Sequence, residues 1–163
     1  MTFDSVYTYL PDRIKLLVGD VYIEGWEKIS IEHNYTKTRQ IAGIRGKNTK
    51  VYNRNSSAKI TVTLSQSSDT NYLFDFILKA EEENMGNILF KVSVNDLSGG
   101  SKFSSEEAYL EGFPKRIEYS GELGTREWVI FCDTSTMDIK GNKDTGGTAL
   151  DKITDFVSDL DIF

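Results

Sequence analysis

The stretch "AKITVTLS", Ala58–Ser65, decides the fold. Ile60, Val62 and Leu64 point one way and Lys59, Thr61, Thr63 and Ser65 the other, the two-residue period of a strand with one dry face and one wet face. Upstream, "KISIEHNY" puts Ile29, Ile31 and, by the same parity, His33 on one face, and "IKLLV" and "VYIEGW" flank a tight reversal at Gly19–Asp20. Downstream, "NILFKVSVND", a loop around "LSGGSKF", the run "SSEEAYLEGFPKRIEYS", a turn at "SGELGT" and finally "REWVIFCDTSTMDIK" continue the strand pattern. About seven or eight strands and one central helix are expected, without the strand–helix alternation of a parallel sheet. The fold class is therefore mainly β: an antiparallel β-sandwich or barrel with one packed α-helix.

That helix is expected over residues 69–84, capped by Ser68 or Asp69 and stopped at Asn84-Met85-Gly86. Leu73, Phe76, Ile77 and Ala80 recur at helical spacing as its inward stripe. Glu81, Glu82 and Glu83 crowd its C-terminal end, where the helix dipole disfavours them by a few tenths of a kcal/mol each, roughly. Solubility or a partner accounts for them better than helix stability does.

Between the two alternating segments lies a different kind of chain. From Glu32 to Asp69 there is no acidic residue, yet the interval holds Lys37, Arg39, Arg45, Lys47, Lys50, Arg54 and Lys59, so the formal charge of -6 leaves the rest of the chain strongly acidic. Gly43, Gly46 and Asn48 are turn residues, so residues 35–57 read as a long hairpin arm with too few apolar residues to be buried. Exposed strand edges invite pairing with another chain, and one basic arm on an acidic body attracts copies of itself. The same arm, with Tyr35 and Tyr52 among its cations, is also suited to a polyanion, which keeps a monomeric nucleic-acid-binding β-barrel open as the reading from another class. The acidity of the remainder opposes that reading.

At the other end, "GNKDTGGT", residues 141–148, has the spacing of a phosphate-binding loop, but Gly147 stands where the lysine that reaches the phosphates is required. It reads instead as a glycine-containing linker into a C-terminal amphipathic helix. Thr148 with Asp151 three residues on starts that helix, and Leu150, Ile153, Phe156, Val157 and Leu160 form an apolar stripe. Asp151, Asp155 and Asp159 form an acidic one that needs counter-charge. The expected organisation is a β domain over 1–133 and this linker and helix over 134–163.

Chemistry is sparse. The chain has one cysteine, Cys132, inside "EWVIFCD" as a core thiol, so no intrachain disulfide and no structural zinc site are expected. Asp138, Asn142 and Asp144 lack the glycine and distal glutamate of a calcium loop. His33 has Glu32 and Asn34 beside it, but strand neighbours point to opposite faces, and Glu106 and Glu107 alternate in the same way. No enzyme, cofactor or metal is expected. Matches to glycosylation acceptors at Asn34 and Asn55 carry nothing without a secretory signal, and no apolar run approaches the roughly 20 residues of a membrane helix. Assembly in a cytoplasm, away from any membrane, is the expectation.

The order "VGDVYIEGWEKISIEHN", "IAGIRGKNTKV", "SSAKITVTLSQSSDTNYL" and "EEAYLEGFPKRIEYSGELGTREWVIFC" resembles the tail tube proteins of contractile-tailed bacteriophages, over roughly Ile14 to Asp133. In that family a first hairpin leads to a glycine-bearing long hairpin, then to a Ser/Thr-rich alternating strand that caps a helix. A later strand pair closes with an arginine-flanked aromatic strand, here "REW". The segment from Thr134 to Phe163 is an addition to that pattern. The resemblance implies a structural virion protein whose hexameric rings stack into the inner tube of the tail. It implies that the long hairpin reaches into the neighbouring ring and that the tube conducts the double-stranded DNA genome without sequence-specific binding. The implied partners are sister copies, the sheath protein, a tape measure protein, and baseplate and tail terminator proteins. The tube of a phage-tail-like bacteriocin or secretion machine, which carries no genome, is the alternative in the same class.

Three sets of residues follow. Arg39, Ile41, Ile44, Arg45, Lys47 and Lys50 are the candidates for an inter-subunit arm. Thr61, Thr63, Ser93, Glu107 and Glu111 are candidates for the bore, whose wall is expected to be negative and so to repel passing phosphates. Asp151, Asp155 and Asp159 are candidates for a sheath-facing surface.

Overall fold

The computed structural model describes residues 9–141 and 154–160. After a single 3-10 turn at Pro11–Arg13 come β1 (Ile14–Val18), β2 (Val21–Tyr22) and β3 (Trp26–His33), then β4 (Thr38–Ala42), β5 (Asn48–Tyr52) and β6 (Ala58–Ser65). The helix α1 (Thr70–Glu83) follows, then β7 (Phe90–Asp96), β8 (Lys102–Leu110), β9 (Thr125–Cys132) and β10 (Thr136–Asp138). Eight strands form one antiparallel sheet in the order β2-β1-β7-β8-β9-β6-β3, with β10 beside β8. β4 and β5 form a two-stranded sheet of their own.

The alternation in β6 is what organises this sheet. Ala58, Ile60, Val62 and Leu64 are all 0% exposed, and their cross-strand partners on β9 are Cys132, Ile130, Trp128 and Arg126. Apart from Arg126 they join Leu16, Val18, Val92, Phe103, Ala108 and Leu110 in one apolar cluster. Trp26, Ile29 and Ile31 on β3 close over the same cluster, facing Ile14, Val94 and Phe103 across a cavity of about 350 Å³. Irregular register between Trp26 and Lys28, and again between Phe90 and Val92, marks bends in those strands.

α1 packs on this core through Phe74, which is fully buried with its ring 5.2 Å from that of Trp128. The inward stripe differs from the expected one by a rotation: Phe74, Ile77 and Leu78 face in with Leu73, whereas Phe76 is 71% exposed. Both stripes have helical spacing, so periodicity alone cannot choose between them. Asn71 chooses. Its Oδ1 accepts from Trp128 Nε1 at 2.9 Å and its Nδ2 donates to the carbonyls of Ser65 and Ser68, which sets the rotation of the first turn. At the cap, Ser68 Oγ accepts from the Thr70 amide and donates to the Glu24 carbonyl, while Asp69 makes no side-chain cap bond. Gly25 makes room for this contact, because a Cβ there would lie 2.8 Å from Ser68 Oγ on a backbone at φ +75.

Two further differences lie after β8. The run expected to stay extended through "EGFPKRIEYS" leaves the sheet at Leu110, and residues 111–124 form an irregular loop around Pro114. "REWVIFCDTSTMDIK" is two strands: the chain breaks at Asp133–Ser135, where the Thr134 carbonyl accepts from Ser105 Oγ and Ser135 Oγ donates to the Ser56 carbonyl, so β10 crosses to β8.

Candidate functional site

The arm begins where β3 and β6 stop pairing. The Asn34 amide and side chain both bond to Ser57 at 3.1 Å, closing the base, and the side chains of Asn53 and Asn55 bond to backbone amides two residues on. Beyond this base the pairing resumes as β4 with β5, turning at Gly43–Gly46, where Gly46 has φ +79. Every residue of β4 is exposed, and Val51 alone is half-buried on β5. Ile44 at the tip is as exposed as a side chain can be, at 107%. Among the described residues, none of Lys37, Arg39, Arg45, Lys47, Lys50 and Arg54 takes part in an ion pair. A two-stranded ribbon without a core is marginal in water, and among the described residues this one is covered only at Val51.

The register divides the arm candidates between two faces. Arg39 pairs with Val51 and Ile41 with Thr49, so Arg39, Ile41, Thr49 and Val51 share one face. Gln40 pairs with Lys50 and Thr38 with Tyr52, so Lys50 lies on the opposite one with Gln40, Thr38 and Tyr52. Arg45 and Ile44 occupy the turn, and Lys47 closes it by accepting from the Gly43 amide at 2.8 Å.

The five bore candidates fall on one side of the main sheet, away from the core. Thr61 and Thr63 are cross-strand to Val129 and Glu127, Ser93 to Leu17 and Ser104, Glu107 precedes the buried Ala108, and Glu111 opens the loop just past β8 with its amide donating to the Val129 carbonyl. Their shared face carries lysines among its acids, and Glu107 and Glu127 take part in no ion pair among the described residues. Lys59 pairs with Glu32 at 3.6 Å, Lys91 with Glu106 at 3.7 Å and Glu111 with Lys115 at 3.6 Å. The overall acidity is concentrated elsewhere, on α1 and toward the C-terminus. The loop 111–124 arches beside this face and encloses an open groove of about 990 Å³ with Lys59, Thr61, Glu127 and Phe131.

Of the sheath-facing candidates, Asp151 lies outside the described residues, and Asp155 and Asp159 sit on an exposed helical segment, 154–159. Phe156, Val157 and Leu160 on the same segment are 64%, 42% and 51% exposed. In the glycine loop only Gly141 is described.

The groups weighed for catalysis stay apart. His33 is exposed, with its ring 6.3 Å from that of Phe103. Burial raises the Cys132 thiol to about 11, with the Ser105 hydrogen bond pulling the other way, so the thiolate nucleophile is scarce at neutral pH. Among the described residues no group of His, Cys, Asp and Glu is placed to hold a metal ion, and no described helix is long and apolar enough to cross a membrane.

Two features escaped the sequence reading. One is the outward side of α1, where Tyr72 and Phe76 are 78% and 71% exposed; the inward stripe drew attention to the wrong phenylalanine. The other is the loop 111–124, read as strand, which exposes Phe113, Ile117, Tyr119 and Leu123. Beside it Arg126 lies 5.3 Å from the Tyr119 ring centroid, with Nη2 donating to Tyr119 Oη and Nη1 buried without an acceptor.

These open surfaces can be set beside known proteins. No family model matches the chain. It is 27% identical over 164 residues, covering 94% of both chains, to "Structural protein ORF10" of Pseudomonas phage KPP10. The fold is shared with contractile injection machines. A cap protein of the anti-feeding prophage, its tube-terminating cap, superposes with a TM-score of 0.53 at 13% identity, covering 85% of this chain and 96% of that one. A chain from the sheath–tube complex of an extracellular contractile injection system, PVC, gives 0.53 at 17% identity over 83% and 94%. A chain from the sheath/tube terminator of the same system gives 0.51 at 16% identity over 82% and 99%.

Proposed function

We propose that this chain is a structural tail protein, not an enzyme, whose copies form six-membered rings that stack into the inner tube of a virion tail. One observation carries the reading: among the described residues a basic hairpin is exposed at every position of its two strands except the half-buried Val51, on a fold shared with components of contractile injection machines. The phage relative supports the virion as its place. In this reading a sister copy covers the arm, and the face holding Thr61, Thr63, Ser93, Glu107 and Glu111 lines the bore. A wall of hydroxyls and carboxylates passes double-stranded DNA because no cluster of free cations anchors its phosphates. Asp151, Asp155 and Asp159 meet the sheath, and changing them to Asn weakens sheath assembly on preformed tubes. Tape measure, baseplate and terminator proteins contact the tube along its bore and at its ends.

Electron microscopy of the purified protein tests this directly. Hollow filaments built from six-fold rings are expected; a dispersed 18.4 kDa species at high concentration would sink the proposal. A second reading is favoured by the two cap and terminator likenesses: the same fold closes a tube instead of extending it. Single rings that never stack would select that reading.

A further inference from the structure

We propose that the outward side of α1 is the seat for the arm of a second copy, and that the arm lands on it with the face bearing Arg39, Ile41 and Val51. This rests on the reading of the arm as a joint between copies, and it adds which face is covered and what covers it.

Asp69, Tyr72, Phe76, Lys79 and Glu83 recur at three- and four-residue spacing, so they lie along one side of the helix, and each is exposed. The middle of that stripe is aromatic. Its ends are acidic: Asp69 before the first turn, and Glu82 and Glu83 in the last, none of which has an ion pair among the described residues. Lys79 is already matched by Asp75 at 3.4 Å, so it does not offset them.

The arm carries the complementary arrangement. Ile41 and, diagonally across, Val51 make the apolar part of one face, with Arg39 beside Val51 at the base end and Arg45 and Lys47 toward the tip. From Asp69 to Glu83 the helix runs about 21 Å at its regular rise; from Arg39 to the turn at Gly43 the strand spans about 13 Å, with Arg45 beyond it at the tip. The opposite face, with Gln40 and Lys50 opposed, has no such apolar middle. The contact also accounts for acids placed where they weaken their own helix: their partner is a cation on another chain.

The two chains differ in what they contribute, so the contact is heterologous, and each copy supplies one arm and one seat. It propagates from copy to copy and leaves an unfilled seat at one end of a stack.

Two single-cysteine additions test the contact independently of tube formation. Mixing an Ile41→Cys variant with a Phe76→Cys variant in the presence of a short bis-maleimide should give covalent dimers at ten-fold or more the yield of either variant alone. Lys50→Cys in place of Ile41→Cys should lose that yield. Equal yields from both faces, or no dimer from Ile41→Cys, would overturn the proposal. Charge reversal supplies the second arm: E82K/E83K should raise the concentration needed for assembly ten-fold or more, and adding R39E/K47E in the same chain should recover most of it. Reversal at Glu82 and Glu83 favours the helix dipole, so a folding defect does not explain that loss, and circular dichroism checks it. Rings or filaments without the Ile41–Phe76 cross-link overturn this contact and leave the tube reading standing. The cross-link in a protein that forms no rings keeps the contact and overturns the tube.

Discussion

β5 and β6 follow one another in the chain and share the same two-residue period, yet β6 is buried at every second residue and β5 nowhere. The contrast separates two things that alternation is often taken to mean together. Period tells that a segment has two faces. Whether one face finds a core depends on how much apolar area it brings: β6 offers Ile60, Val62 and Leu64, whereas β5 offers Val51 alone. At roughly 25 cal/mol per Å² of apolar surface, one valine does not offset the ordering of a strand. β5 is nevertheless paired with β4 and held at its base by Asn34 and Ser57, so its order rests on backbone pairing and not on a core.

Removing residues 43–47 is the harshest test of that division. It should abolish polymerisation while moving the denaturant midpoint of the subunit by no more than about 0.5 kcal/mol equivalent, since nothing in the core touches the tip. Normal filaments from that deletion, seen by electron microscopy, would erase the distinction between arm and body. Phe74→Ala attacks the other side. It should cost about 3–5 kcal/mol in urea unfolding, because the ring fills the space against Trp128 and leaves a cavity when removed. Arm cross-linking in the surviving folded fraction should be unchanged.

Asn71→Ala is a smaller intervention of the same kind. It strands the Trp128 Nε1 donor and is expected to cost about 1–3 kcal/mol, while Tyr72→Ala next to it should leave unfolding nearly unmoved and impair assembly. Smallest is the alkaline effect of Cys132. Its folded pKa, raised from 9.0 to about 11, means the unfolded chain loses that proton first; the contribution is full below pH 9.0 and is lost as pH rises toward about 11. A Cys132→Ala variant should show a flatter stability profile over that window in pH-dependent denaturation.

Much of the architecture was legible because it depends on local composition. The strand faces of β6 and β9 and the turn at Gly19–Asp20 follow from period, turn residues and breakers that act over a few positions. The rotation of α1 was not legible. Leu73, Phe76 and Ile77 make as good a stripe as Phe74, Ile77 and Leu78, and the choice lies with Asn71 reaching Trp128 across 57 positions of sequence. The loop 111–124 was missed for a related reason. Its residues alternate well enough for a strand, but Gly112 and Pro114 remove the pairing it would need. The ion pairs on the outward face of the sheet were not legible, because net charge is a sum over the chain, whereas Lys59 with Glu32 and Lys91 with Glu106 are neighbours only once the strands are in register.

By itself the order of residues determined an antiparallel β protein with one helix and an acid-free, cation-rich hairpin, since these rest on side-chain period and on charge counted over short intervals. Tertiary structure alone decided which helix face is left bare, which arm face holds Ile41 with Val51, and which charges cancel. Those are relations between distant segments, and distance along the chain carries no information about them until the strands have paired and the helix has packed.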